Sequence, residues 1–250
     1  MRTIQTIGAC AAALALVGAT TTVFSAENDN LQGKATIKAL HGIVQVQQGG
    51  NWEPAHVNEE LDPGTVVRTG ADSVCDMSVN GLSSAVRVGP DTTLAIPTMT
   101  RTAPSADADT ETMLNLQQGA ILGNVKKLSD NSRYEIQTPH GVAGIRGTDF
   151  QVTAILQPDG HYVVTFTSIT GQVIVSATVT PGGPVVVKVL RDGESWTPGE
   201  GDVHPTPTYL LTQLLNEINE LLRLVFPPFF PPGLPPILHP FPTGGQPSPR

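Results

Sequence analysis

Charge is scarce in this chain. Only 14% of its 250 residues are charged, and 14 Lys and Arg face 22 Asp and Glu, a formal net charge of -8. A chain so poor in cations repels phosphate backbones, which excludes nucleic-acid binding, and it has no polybasic stretch to hold anionic lipid. Lys126-Lys127 is too small to make a patch. Cysteine is nearly absent as well, at two residues, Cys10 and Cys75. A lone thiol left after loss of a leader cannot build an internal disulfide framework. Cys75 lies in the alternating run Val74-Cys75-Asp76-Met77-Ser78-Val79 and reads as a small buried strand residue.

Signatures of catalysis are missing too. The sequence contains no Gly-x-Ser-x-Gly, His-Glu-x-x-His or Cys-x-x-Cys pattern and no phosphate loop. Its six histidines (His41, His56, His140, His161, His204 and His239) are isolated from one another. Asp107, Asp109 and Glu111 alternate like weak calcium ligands, but without the glycine turn and closing glutamate of a calcium loop they read as a solvated loop. We therefore expect a non-catalytic protein, with no cofactor and no metal.

The only long apolar run, Ile7 to Val17, follows Arg2 and has the length of a secretory h-region. It breaks at Thr20-Thr21-Thr22, short of a membrane span. Val23 and Ser25 permit cleavage before Ala26, so residues 1–25 are expected to be a signal peptide and the product periplasmic or secreted. No transmembrane helix is expected in the mature chain.

Glycine (25) and proline (22) are plentiful. From Ala35 to Gly199 they punctuate short segments of period two, among them Ile43-Val44-Gln45-Val46, Thr65-Val66-Val67-Arg68, Tyr162-Val163-Val164-Thr165-Phe166 and Val185-Val186-Val187-Lys188-Val189. Branched side chains at alternate positions suit a pleated surface, and no helical pattern separates the segments. The expected fold is all-β: one domain of short antiparallel strands over 36–199, as a sandwich, roll or short solenoid. Both tryptophans sit in Trp-x-Pro triplets after a Gly-x-Val-x-Val strand. Trp52 and Trp196 are therefore expected as aromatic lids on the core. The polar stretch 97–112 reads as an exposed loop.

Residues 206–226 change register. Thr206 is placed to cap a helix and Pro207 to open it, while Pro227-Pro228 end it. Leu211, Leu214, Leu215, Ile218, Leu221, Leu222 and Val225 recur at helical spacing. That face either docks on its own domain or mediates self-association or partner binding. Residues 227–250 carry ten prolines and favour extended polyproline II, yet include the apolar pairs Phe229-Phe230 and Ile237-Leu238. A purely solvating spacer would not need those pairs.

One segment stands apart: Thr138-Pro139-His140-Gly141-Val142-Ala143-Gly144-Ile145-Arg146-Gly147-Thr148-Asp149-Phe150. Glycines at 141, 144 and 147 permit close backbone approach or positive φ. Arg146, among small and apolar neighbours, is expected to be buried, with Asp149 or turn carbonyls as partners. It would then staple a tight turn, its loss costing a few kcal/mol as for one member of a buried pair, or else contact a ligand or partner on the glycine-rich surface.

This segment resembles the Thr-Pro-x-x-x-Ala-Gly-Val-Arg-Gly-Thr-Asp-Phe motif of the FecR domain, with Ile145 in place of Val. The weaker elements resemble that family in order: Gly42 to Val46, Trp52, Pro54, Leu61, Gly64, Val67-Arg68-Thr69-Gly70, Val86 to Leu94, Leu116 to Leu122, Gly171 to Val175 and Gly193-Glu194. The resemblance implies that Thr138, Pro139, Gly144, Arg146, Gly147, Thr148, Asp149 and Phe150 matter to the domain or to a partner contact. The family's namesake relays a siderophore-transport signal across the inner membrane to a sigma factor. That role requires a cytosolic segment and a membrane span, neither of which is read here. The resemblance therefore implies an extracytoplasmic sensing or binding module for an envelope protein or glycan. A self-associating structural protein is the alternative, and a wall-polysaccharide enzyme is a third, weaker reading.

Overall fold

Alternation of branched apolar and polar residues does produce strands, and they join into one open, hydrogen-bonded sheet. The structure, a computed structural model, describes residues 31–226 apart from 82, 83, 106, 107 and 181. The expected leader, the proline-rich tail and Asp107 lie outside the described residues. In chain order the first strands are β1 (Leu31–Gln32), β2 (Ala35–His41), β3 (Val44–Gln47), β4 (Trp52–Pro54), β5 (Glu60–Leu61), β6 (Thr65–Thr69), β7 (Val74–Val79) and β8 (Ser84–Val88). Then come β9 (Thr93–Arg101), β10 (Thr110–Val125), β11 (Arg133–Thr138), β12 (Gly141–Leu156), β13 (Tyr162–Thr178), β14 (Val185–Leu190), β15 (Glu194–Trp196) and β16 (His204–Pro205). A single helix, α1 (Thr208–Val225), follows. The fold is all-β with one C-terminal helix.

The sheet folds over on itself. One layer runs β4-β3-β6-β9-β10-β11-β12-β13-β14 and the other β5-β2-β7-β8-β10-β12-β13-β15-β16. Strands β10, β12 and β13 belong to both: their halves take different neighbours. The pairing is antiparallel except for β10 with β11, which is parallel. These shared strands are long, at 16, 16 and 17 residues, rather than short. Alternating sequence reveals strand character but not where a strand passes from one layer to the next.

The crossing points are glycines with positive φ: Gly119 (96°), Gly147 (63°) and Gly171 (83°). Each marks a change of phase. On β12, Ala143 and Ile145 face the core before Gly147, and Phe150, Val152 and Ala154 face it afterwards. An extra residue at a bulge bends the strand and flips the side chains that follow. At Gly171 a side chain is disfavoured for a second reason: its Cβ would lie 2.7 Å from the Gly147 carbonyl oxygen, so the backbone would have to shift.

Between the layers lies one apolar core, with Val67, Leu94, Leu114 and Ile136 from the first layer and Met77, Val86, Phe150 and Phe166 from the second. Tyr134 spans it. Its ring meets Phe150 at a centroid separation of 6.4 Å, and its hydroxyl accepts a bond from Ser84 Oγ at 3.3 Å. Trp196 is 2% exposed, with Nε1 donating to the Gly201 carbonyl at 3.1 Å. Trp52 differs from expectation. It lies half-buried on β4 at the end of the first layer, with the Arg68 guanidinium 3.9 Å from its ring centre. A strand at the sheet margin has no facing layer to bury an indole, so a cation stacks on it instead.

Helix α1 covers the outer face of the second layer. Leu214, Ile218, Leu221 and Val225 pack with Ala85, Leu122 and Ile169 in a second core. Leu211 and Leu222 are partly buried beside it, whereas Leu215 is 37% exposed and points away from the face assigned to it. Neither does Thr206 cap the helix. Its hydroxyl bonds Ser195 Oγ at 2.7 Å, and Pro207 occupies the N-cap without a side-chain bond. The polar stretch 97–112 is mostly strand at both ends, because β9 runs to Arg101 and β10 begins at Thr110.

Candidate functional site

The conspicuous segment Thr138 to Phe150 builds the bend rather than an open pocket. Pro139 and His140 form the turn joining β11 to β12. The Thr138 hydroxyl closes it, accepting from the Gly141 N–H at 3.2 Å and lying 3.0 Å from the Gly141 carbonyl. Gly141 must be small, since a Cβ would meet the Ser176 carbonyl oxygen at 2.3 Å. Gly144 has open space above it, with only the Ile174 carbonyl oxygen near, at 3.8 Å.

Past the bulge the motif turns inward. Thr148 is 1% exposed, and its hydroxyl donates to the Gln172 carbonyl at 2.9 Å, tying β12 to β13 beside both bend glycines. Asp149 accepts from Asn124 Nδ2 and from the Thr170 hydroxyl, each at 2.6 Å. Phe150 is fully buried over Gly123, where a Cβ would sit 2.5 Å from the Phe150 ring. The motif's polar atoms are thus spent on the corner itself.

Arg146 corrects the expectation. Its side chain is 53% exposed and pairs with Asp130, which is 96% exposed, not with Asp149. The positive φ of Gly147 is the cause. Before the bulge, even-numbered positions of β12 face outward, so the guanidinium reaches solvent while Ile145 faces the core.

The buried charge is elsewhere, under α1. Arg87 on β8 is 6% exposed and holds Asp76 on β7 with two bonds, Nε to Oδ1 at 2.7 Å and Nη2 to Oδ2 at 2.9 Å. Its Nη1 reaches Glu220 of α1 at 3.1 Å. Burial alone would lower the Arg87 pKa, but the two carboxylates outweigh it and the guanidinium stays charged. Burial pushes Glu217, one turn from Glu220, above the usual carboxylate range, and the bond from Gln213 Nε2 at 2.9 Å and the charge of Arg87 only partly offset this. The cluster pins the helix to the sheet through charge as well as through apolar packing. Sequence reading missed it, although a signal was present. Asp76 and Arg87 each interrupt an apolar strand, and a hairpin closed at Asn80-Gly81 sets them directly opposite. Cys75 beside it is fully buried, and burial pushes its thiol up to about 12, so it is inert as a nucleophile.

The comparisons agree with the motif. Residues 65–173, from β6 into β13, match the family model described as FecR protein. That stretch, a little under half of the chain, is similar to the FecR family. The match spans the bend glycines, the Thr148–Phe150 corner and the Asp76–Arg87 pair. FecR is a regulatory rather than an enzymatic family. Two crystal structures of a candidate anti-sigma factor from Parabacteroides distasonis ATCC 8503 are similar to this chain at 16% identity, each with a TM-score of 0.44. The alignment covers 60% of this chain and 64% of the other. No curated protein matches. Among the described residues no helix is long and apolar enough to cross a membrane.

Proposed function

We propose that this chain is an extracytoplasmic, non-catalytic interaction module of FecR type that takes part in signalling by contacting an envelope protein or glycan. One observation carries the reading: the family motif is used internally. Thr148 and Asp149 spend their polar atoms on Gln172, Asn124 and Thr170, so the motif shapes a surface rather than presenting a reacting group. The leader read at residues 1–25 supports export. Self-association through α1 has less support, because Leu214, Ile218 and Val225 are buried on the chain's own sheet.

Cross-linking in intact envelopes, followed by mass spectrometry, tests this reading. A recurrent envelope protein or glycan should be captured by the full chain, and the chain should fractionate outside the cytosol. Cytosolic fractionation, or turnover of wall polysaccharide by the purified protein, would sink the proposal.

A further inference from the structure

The two outer faces of the folded sheet are treated differently. Helix α1 covers one, whereas the face at the β13–β14 end of the first layer is apolar and bare among the described residues. Register places Gly144, Ile174 and Val189 in one row across β12, β13 and β14, and Val142, Ser176 and Val187 in the next, with Thr178 beside Val185 beyond. Val185 is 64% exposed, Val187 60%, Ile174 46% and Val189 37%. The charge on β14, Lys188, faces the other side and is taken up by Asp202 at 2.6 Å. A contiguous row of exposed branched aliphatics on a weakly charged protein marks a covered or contacted surface. Valine is suited to such a role, since its stiff side chain loses little freedom when covered.

The chain itself delivers an occupant to this face. Helix α1 ends at Val225, and Phe226 is anchored, 4% exposed, with Lys126 Nζ 4.7 Å from its ring centre. The next residue along, Lys127, lies against the bend: a Cβ at Gly147 would be 3.4 Å from its Cα. Gly147 in turn touches Gly171, and Ile174 stands three residues further along β13. Phe226, the last described residue, thus packs in the cluster of Ile169, two residues from the bend at Gly171 where the valine face begins. From Gly171 to the Thr178–Val185 row is about 23 Å at ~3.3 Å per strand residue. At ~3.1 Å per residue of polyproline II, about eight residues would cover that distance, so the sequence from Pro227 to Leu238, with the pairs Phe229-Phe230 and Ile237-Leu238, is long enough to cross the face. Proline has no N–H, so this segment is ill-suited to add as a strand to the edge of β14. It offers apolar surface at low ordering cost, which suits it to lie across a face.

We propose that the proline-rich segment 227–242 folds back in cis over Val185, Val187, Val189 and Ile174. The proposal goes beyond the partner-binding reading and does not depend on it.

Replacing Phe230 by photoreactive benzoylphenylalanine in the full chain tests it. Irradiation of dilute protein should give a monomer-sized adduct joined to the peptide spanning residues 172–190, and Val187→Lys should abolish it. Because Val187 is 60% exposed, that variant should keep the wild-type circular dichroism and melting temperature. Amide exchange in β14 should be slower in the full chain than in a chain ending at Phe226. The proposal is overturned by an absent cross-link, by a cross-link confined to dimer-sized species, by one that survives in Val187→Lys, or by β14 protection indifferent to the truncation.

Discussion

Replacing Arg87 by methionine should be among the most damaging single substitutions on the surface beneath α1. It leaves Asp76, 3% exposed and shielded from solvent by α1, without its two short bonds. Stranding one member of a buried pair costs about 3–5 kcal/mol. The lost contact to Glu220 adds little, because that carboxylate is 20% exposed and can hydrate. For a domain of this size each kcal/mol moves the melting temperature by about 2–4 °C, so Arg87→Met should melt roughly 6–20 °C lower at neutral pH. The deficit should depend on pH. Without Arg87, burial holds the folded-state pKa of Asp76 above its ordinary 3.8. The folded state then binds the proton more tightly than the unfolded state, so the penalty is full above the raised value and shrinks as pH falls toward 3.8. Adding Asp76→Leu removes the stranded charge and should recover most of the loss. Urea titrations of the wild type, the single variant and the double variant at two pH values make the measurement. A deficit below about 1 kcal/mol for Arg87→Met, or a double variant weaker than the single one, refutes the reasoning.

Arg146→Ala should change stability by no more than about 1 kcal/mol in a thermal melt, since its pair with Asp130 is exposed. Gly147→Ala should cost about 1–2 kcal/mol for its left-handed backbone, because the nearest atom to the new Cβ, at 3.4 Å, is tolerable. Gly171→Ala should cost clearly more, since the new carbon would also strike the Gly147 carbonyl oxygen at 2.7 Å; denaturant midpoints will rank the two. Glu217→Gln should stabilise the protein at pH 7. A buried carboxyl whose folded pKa is raised above 4.5 loses stability as pH rises through that window, so the advantage over wild type should vanish below about pH 4 in a pH series of melts.

How much of this was legible in the residues varies by element. Val44, Val46, Val173 and Val175 announce strands because a period of two leaves them on one face, and all four are buried. The apolar spacing of Leu214, Ile218, Leu221 and Val225 likewise announces α1, because local geometry alone aligns them. Leu215 was misassigned, since the width of an apolar stripe depends on the surface it meets. Arg146 was misjudged because its surroundings were read from chain neighbours, whereas a one-residue bulge at Gly147 turned it to solvent. Trp52 looked equivalent to Trp196 in sequence, yet only Trp196 has strands on both sides to bury it.

The residues alone determined the all-β class, the C-terminal helix and the family motif, because alternation, helical spacing and glycine placement act over a few neighbouring positions. Only the tertiary structure decided that β10, β12 and β13 cross between layers, that Asp76, Arg87 and Glu220 meet beneath the helix, and that no described element covers the valine face. Those outcomes depend on strand register and on contacts between segments as far apart as Arg87 and Glu220. Register is fixed by the whole core closing at once, so no local stretch encodes it.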